Sequence, residues 1–212
     1  MRPQRLSTAL LLVSALAGGA CGTAAAPPPI VQPGAPGQPS RTVTASAAAK
    51  APSFTAADVK FMQGMIHHHA QALDMVALLE SRTTSEDMKK LAHRIELSQA
   101  DEIDMMRKWL EGHGQDVPGE HAHHMAGAPM MPGMLTEEQM DRLAAAKGPA
   151  FDRLFLEFMI QHHAGALAMV KDLFAAPGAA QDSDVFAFAS DVDADQRIEI
   201  ARMSAMLQEL QK

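Results

Sequence analysis

The sequence predicts an all-α protein, a four-helix bundle built from two copies of one helical hairpin. Three observations predict it. The chain of 212 residues repeats itself: Phe61 to Val76 reads FMQGMIHHHAQALDMV and Phe155 to Val170 reads FLEFMIQHHAGALAMV, identical at ten of sixteen positions with an offset of 94. A second segment follows each copy, from Gln99 to Met106 and from Gln196 to Met203, and both read Q-x-x-E-I-x-x-M. Apolar residues in these segments recur at three- and four-residue steps, the period of an amphipathic helix. One helical hairpin cannot bury its apolar stripe alone, so two copies packed together are the natural solution.

Taken in order, residues 1–20 have the pattern of a secretory signal. Arg2 and Arg5 precede an apolar run from Leu6 to Leu16, too short to span a bilayer, and small residues lead to Ala20. Cys21 then stands where a bacterial lipoprotein carries its acylated cysteine, which predicts a lipid anchor to a membrane. Gly18 replaces the Leu usual three positions before that cysteine, so ordinary cleavage after Ala20 or within Ala24 to Ala26 is the alternative. Residues 21–52 carry seven Pro between Pro27 and Pro52 among Ala, Gly, Ser and Thr, the composition of a flexible or polyproline-like tether.

The first hairpin spans residues 53–112. Phe61, Met65, Ala72, Val76 and Leu79 mark its first helix, and Met88, Ala92, Ile95, Ile103, Met106 and Leu110 its second. Thr55 with Asp58 suits a helix start, and Gly112 a stop. Residues 113–135 hold too many Gly and Pro for a helix and read as the linking loop. Residues 136–212 form a short helix plus the second hairpin. Thr136 to Gln139 has capping-box spacing, Gly148-Pro149 restarts the chain with Pro in the first turn, and Asp182 or Ser183 opens the last helix.

Composition excludes several classes of function. The sequence holds one Cys, so neither a disulfide framework nor a thiolate zinc site is available. Its 18 basic against 25 acidic residues give a net charge of −7, and loss of Arg2 and Arg5 with the signal takes this to −9. An acidic chain does not offer the basic face that nucleic acid requires. What stands out is 16 Met and 10 His.

At about 100° per residue, His68 and His69 fall on the stripe of Met65, Phe61, Ala72, Val76 and Leu79, whereas His67 and Asp74 point away. The repeat agrees, since His67 and Asp74 become Gln161 and Ala168 while the pair returns as His162 and His163. Gln99 and Glu102 share a stripe with Ile103 and Met106, and Gln196 and Glu199 do likewise with Ile200 and Met203. Each hairpin therefore aims two His, a Gln, a Glu and Met residues at the interior.

Buried polar groups need partners. Two arrangements supply them: a His–Glu–Gln hydrogen-bond network, or a metal held by imidazole, carboxylate and thioether. The duplicated pairs, with Met65 before His69 and Met159 before His163, point to the metal. Thioether suits Cu(I), and imidazole and carboxylate accept Cu(II), so copper is the expected ion. A di-iron carboxylate bundle would need Glu-x-x-His on its helices, but the one such spacing, Glu120 to His123, lies in the linking loop. That loop gathers His121, His123, His124, Met125, Met130, Met131 and Met134, a mobile cluster suited to capturing copper weakly. Other Met residues, among them Met88, Met169 and Met206, are read as core packing.

The paired F-x-x-x-M-I-x-H-H-x-x-A-L-x-M-V segments, each followed by Q-x-x-E-I-x-x-M, resemble the domain of unknown function family 305, over about Phe54 to Leu210. The resemblance implies a ferritin-like four-helix bundle, usually exported, with some members implicated in periplasmic copper binding. Its motif positions here are His68, His69, Gln99, Glu102, Met106, His162, His163, Gln196, Glu199 and Met203. His67 and Gln161 stand where the family often has Pro, a departure on the face turned from the core.

The resulting expectation is an exported copper-binding protein, not an enzyme, that buffers or sequesters copper in the cell envelope. His68, His69, His162 and His163 would supply imidazoles, and Met65, Met106, Met159 and Met203 thioethers. Glu102 and Glu199 would bind directly or orient the imidazoles, with Gln99 and Gln196 in support. An iron or manganese oxidase or peroxidase of ferritin-like build, and a structural bundle lipoprotein without metal, are the alternatives. The hairpins would bundle within one chain or exchange between two copies in a homodimer.

Overall fold

The computed structural model describes residues 29–34, 37–43, 54–119 and 130–210. The signal segment, Cys21 and most of the tether lie outside these residues, as do His121, His123, His124 and Met125. Five helices follow a small hairpin of strands: β1 (Ile30–Gln32), β2 (Arg41–Val43), α1 (Ala56–Leu79), α2 (Glu86–Gly112), α3 (Glu137–Ala145), α4 (Pro149–Ala175) and α5 (Ser183–Glu209). Helices α2, α4 and α5 each have 27 residues, enough for rods of roughly 40 Å. Among the described residues no helix is long and apolar enough to cross a membrane.

The helix ends are set by side chains legible in the sequence. Thr55 and Asp58 cap α1 reciprocally, and Thr136 and Gln139 do the same for α3. Gly148, at φ 58°, turns the chain into α4, where Pro149 occupies the first helical turn. The Asp182 carboxylate accepts from the Asp184 and Val185 amides to open α5. Asp58 also accepts from the Ala180 amide at 2.6 Å, so one buried carboxylate ties the start of α1 to the turn between α4 and α5.

Helix α1 pairs with α2 and α4 with α5, and the two hairpins meet through α1 and α4 within a single chain. The core consists of two apolar clusters. One joins Phe61, Met65, Ile103, Met106, Val170 and Phe188; the other joins Met75, Leu91, Ile95, Phe155, Met159 and Met203. Residues 61–66 of α1 share a cluster with 166–173 of α4, and residues 72–79 share the other with 151–159. The two repeats therefore run antiparallel across the bundle.

Two features depart from the sequence reading. Within the expected tether, β1 and β2 pair antiparallel with Val31 opposite Thr42, and the Arg41 guanidinium donates to the Gln32 side chain at 2.7 Å. Gly34, Gln38 and Pro39 of this hairpin line a groove with Leu167 and Phe174 of α4 and Asp193 and Arg197 of α5. Residues 130–135, expected to be mobile loop, form a strap over α1 and α4. Gln71 on α1 clamps Leu135 twice, donating to its carbonyl at 2.9 Å and accepting from its amide at 2.8 Å. Met134 is consequently buried, whereas Met130 is exposed.

Candidate functional site

Between the two apolar clusters lies a polar layer. His68 and His69 come from α1, Gln99 and Glu102 from α2, His162 and His163 from α4, Gln196 and Glu199 from α5. All four imidazoles have no exposed surface. Of the eight polar residues singled out by the repeat, the structure pairs His69 with Glu102, His163 with Glu199 and His68 with His162, and buries Gln99 and Gln196 on the facing helices. Met65 and Met106 belong to the apolar cluster on one side of the layer, Met159 and Met203 to the cluster on the other, all four fully buried. His67 and Asp74 sit on the more open face of α1, as the helical period requires.

The outer histidine of each pair meets a carboxylate. His69 Nε2 donates to Glu102 Oε2 at 2.5 Å, and His163 Nε2 donates to Glu199 Oε2 at 2.7 Å. Two further contacts distinguish the halves. Ser98 donates to Glu102 Oε1 at 3.2 Å, while Arg94 Nε stands 3.6 Å from Glu199 Oε1. The Glu102 side chain keeps 19% of its surface exposed, that of Glu199 only 7%. Glu102 lines a groove of about 910 Å³ between α2 and α5, walled by Asp101, Asp104, Asp184, Asp191 and Asp195 and ending at Trp109 and His113. Glu199 has an arginine where Glu102 has this acidic surface.

The inner histidines meet each other. Their ring centroids are 3.9 Å apart with planes inclined by 41°. His68 Nε2 donates to the carbonyl of Pro132, on the strap, at 3.0 Å. Its Nδ1 has no partner, and neither do Nδ1 of His69, Nδ1 of His163 or either ring nitrogen of His162. Both side-chain polar atoms of Gln99 and the oxygen of Gln196 are also unsatisfied. So many orphaned polar atoms in one buried layer call for an explanation, because each costs free energy without a partner.

Burial drives the His68 pKa down to about 3, with the neighbouring His69 adding to the shift and the Pro132 carbonyl opposing it. Burial likewise lowers His162 well below its ordinary value, with the neighbouring His68, His163 and His69 adding to the shift, while an approach to the His68 backbone that falls short of a well-formed hydrogen bond opposes it. Both rings are therefore neutral near pH 7, the form in which imidazole binds a metal. Among the described residues no three His, Cys, Asp or Glu side chains are grouped to hold an ion by themselves. A soft ion taken here would rely on imidazole nitrogen together with thioether sulfur, and those donors are present: orphaned nitrogens in the layer and Met residues packed on both sides.

Sequence reasoning missed Pro132, because a backbone carbonyl has no residue signature, and Arg94, which reaches across from the other hairpin. It also missed the Gln71 clamp. The Gln71 signal was present, a polar residue beside the buried histidine pair, but copy two has Gly165 at that place.

The fold and this layer define a class: four-helix bundles assembled from two hairpins, with a duplicated imidazole and carboxylate layer in the core. The chain belongs to the family described as Domain of unknown function (DUF305), whose model matches residues 58–207. No curated protein matches the sequence. Among solved structures, it is similar to a DUF305 fragment from Deinococcus radiodurans, at 33% identity and a TM-score of 0.63, covering 74% of this chain and 99% of that one. A DUF305 protein of Streptomyces coelicolor, provisionally described as secreted, has 27% identity and a TM-score of 0.63 over 76% of this chain and 96% of its own. CopM in its Cu(II)-bound form has 29% identity and a TM-score of 0.56 over 72% of this chain and 96% of its own. CopM has also been solved in Cu(I)-bound and Ag-bound forms.

Proposed function

We propose that this protein is exported and binds copper as cargo, buffering or sequestering it in the cell envelope without catalysing a reaction. The observation that carries the reading is the His68–His162 contact: two neutral imidazoles, 3.9 Å apart, whose nitrogens are largely without partners in a sealed core. A structural hydrogen-bond network would be expected to satisfy those atoms; a metal-binding layer leaves donors open. The likeness to CopM, a protein with copper- and silver-bound forms, supports the same ion class. Export follows the signal-like residues 1–20, and a lipid anchor at Cys21 would hold the bundle at a membrane surface. His121, His123, His124 and Met125 in the linking loop would add weaker sites.

In this role His68 and His162 would offer imidazole, and Met65, Met106, Met159 and Met203 thioether. Glu102 and Glu199 would orient His69 and His163 through the bonds they already make. An iron or manganese oxidase has less support, because hard-metal centres draw on grouped carboxylates and imidazoles. The test is titration of the purified mature protein with Cu(I) and Cu(II) against a competing chelator, alongside a His68→Ala plus His162→Ala variant. Stoichiometry and affinity that survive the double substitution would overturn the core site.

A further inference from the structure

Gly64 lies on α1 one turn before His68, on the side where the strap and α4 arrive. A methyl group placed there would lie 3.3 Å from Met131 Sδ and 3.4 Å from the Met169 methyl. Two thioether side chains, one from the strap and one from α4, thus close over a helix position without a side chain. Both are half-buried, in contrast to the four sealed Met residues beside the polar layer. Met131 immediately precedes Pro132, whose carbonyl holds His68 Nε2. The strap is fixed in this place: Gln161 donates to the Gly133 carbonyl at 3.3 Å, and Gln71 clamps Leu135.

We infer that Met131 and Met169 form a second, outer site for a soft monovalent ion, Cu(I) or Ag(I), over Gly64. The inference rests on the copper reading and adds a site to it. The sequence reading assigns Met169 to packing, and its contact with the apolar cluster fits that role. Packing does not by itself require sulfur at either position, since the site over Gly64 is already closely filled by the two side chains. Two thioethers meeting at half-exposed positions over one glycine offer soft donors that hold no proton and need none removed. One turn further along α1, the unpartnered Nδ1 of His68 places an imidazole donor next in line toward the core.

The experiment is Ag(I) titration of the full chain carrying methyl-labelled methionine, followed by NMR, for wild type, Met169→Leu, Gly64→Ala and His68→Ala plus His162→Ala. Gly64→Ala is the informative variant. It deletes no donor, suits a helix interior, and presses a methyl against the Met131 sulfur and the Met169 terminal methyl, so both side chains must shift. In wild type the Met131 and Met169 methyl resonances should move together on adding Ag(I). In Gly64→Ala and Met169→Leu that joint shift should be lost and affinity at this site should fall by about tenfold or more. In the double histidine variant the joint shift should persist. Ag(I) bound with Met131 and Met169 unmoved overturns the outer site and leaves the copper reading intact. No Ag(I) binding at all overturns both.

Discussion

His68 and His162 occupy equivalent positions of the repeat and meet in the centre of the bundle, their ring centroids 3.9 Å apart and the rings inclined by 41°. Burial away from water makes a proton on either one costly, with His69 adding to this at His68 and His68 adding to it at His162. It also makes the resting form of both the one that binds a metal ion.

The same burial makes the metal-free protein acid-sensitive. In the unfolded chain each histidine takes up its proton near pH 6.5, whereas folded His68 waits until about 3 and His162 is shifted in the same direction. Between these limits the unfolded state binds more protons, so stability is complete above pH 6.5 and is lost as pH falls toward 3. The expected slope is about 1.4 kcal/mol per pH unit for each imidazole. Chemical denaturation at several pH values should show a shallower slope for His162→Leu than for wild type. Identical slopes would contradict the assignment.

Copper should protect the fold. An ion that binds the native layer and not the unfolded chain stabilises by linkage, by about 2.7 kcal/mol at a free concentration one hundred times the dissociation constant. Thermal melting with and without buffered Cu(I) reads this directly. A melting temperature unmoved by Cu(I) would argue for a layer that serves packing alone.

The strap depends on close approach at Gly165. A β-carbon there would stand 2.0 Å from the Pro132 carbonyl oxygen and 2.5 Å from Gly133 Cα, so Gly165→Ala must lift the strap off α4. Overpacking of this kind costs about 1–3 kcal/mol. Gly112→Ala, with nothing within 4 Å of the new methyl, is the control and should leave stability unchanged or slightly raised. Equal effects of the two in denaturant titration would show that the strap is loosely held.

The carboxylates should differ in what they contribute. Glu199 is the more buried and has Arg94 beside it, while Glu102 opens onto an acidic groove. Glu199→Gln weakens a charge-assisted bond in a dry setting and should cost about 1.5–3 kcal/mol. Glu102→Gln relieves repulsion from the neighbouring aspartates and should cost less. A larger loss for Glu102→Gln would reverse this ranking of the two halves.

Much of this arrangement is legible in the sequence because it rests on local rules. Thr55, Thr136, Pro149 and Asp182 act within a turn of themselves, and the helical period sends His68 and His69 inward while leaving His67 out. Duplication then supplies His162, His163 and Glu199. What is illegible depends on long-range meetings. No pattern announces that the Pro132 carbonyl will hold His68, that Gln71 will clamp a loop, or that Arg94 will cross to Glu199. Strands of three residues, such as Ile30–Gln32, are too short for alternation to reveal them in a Pro-rich stretch.

The antiparallel assembly of two sequence-local hairpins also bears on how the molecule comes together in time. Contacts between α1 and α2, or α4 and α5, close short stretches of chain, whereas His68 and His162 are 94 residues apart. Hairpin formation should therefore precede docking, with the histidine contact forming late. Substitutions at His162 are then expected to speed unfolding and leave the refolding rate nearly unchanged. An ion bound between the hairpins, as proposed above, would act chiefly by slowing their separation, a clasp on the molecule's lifetime.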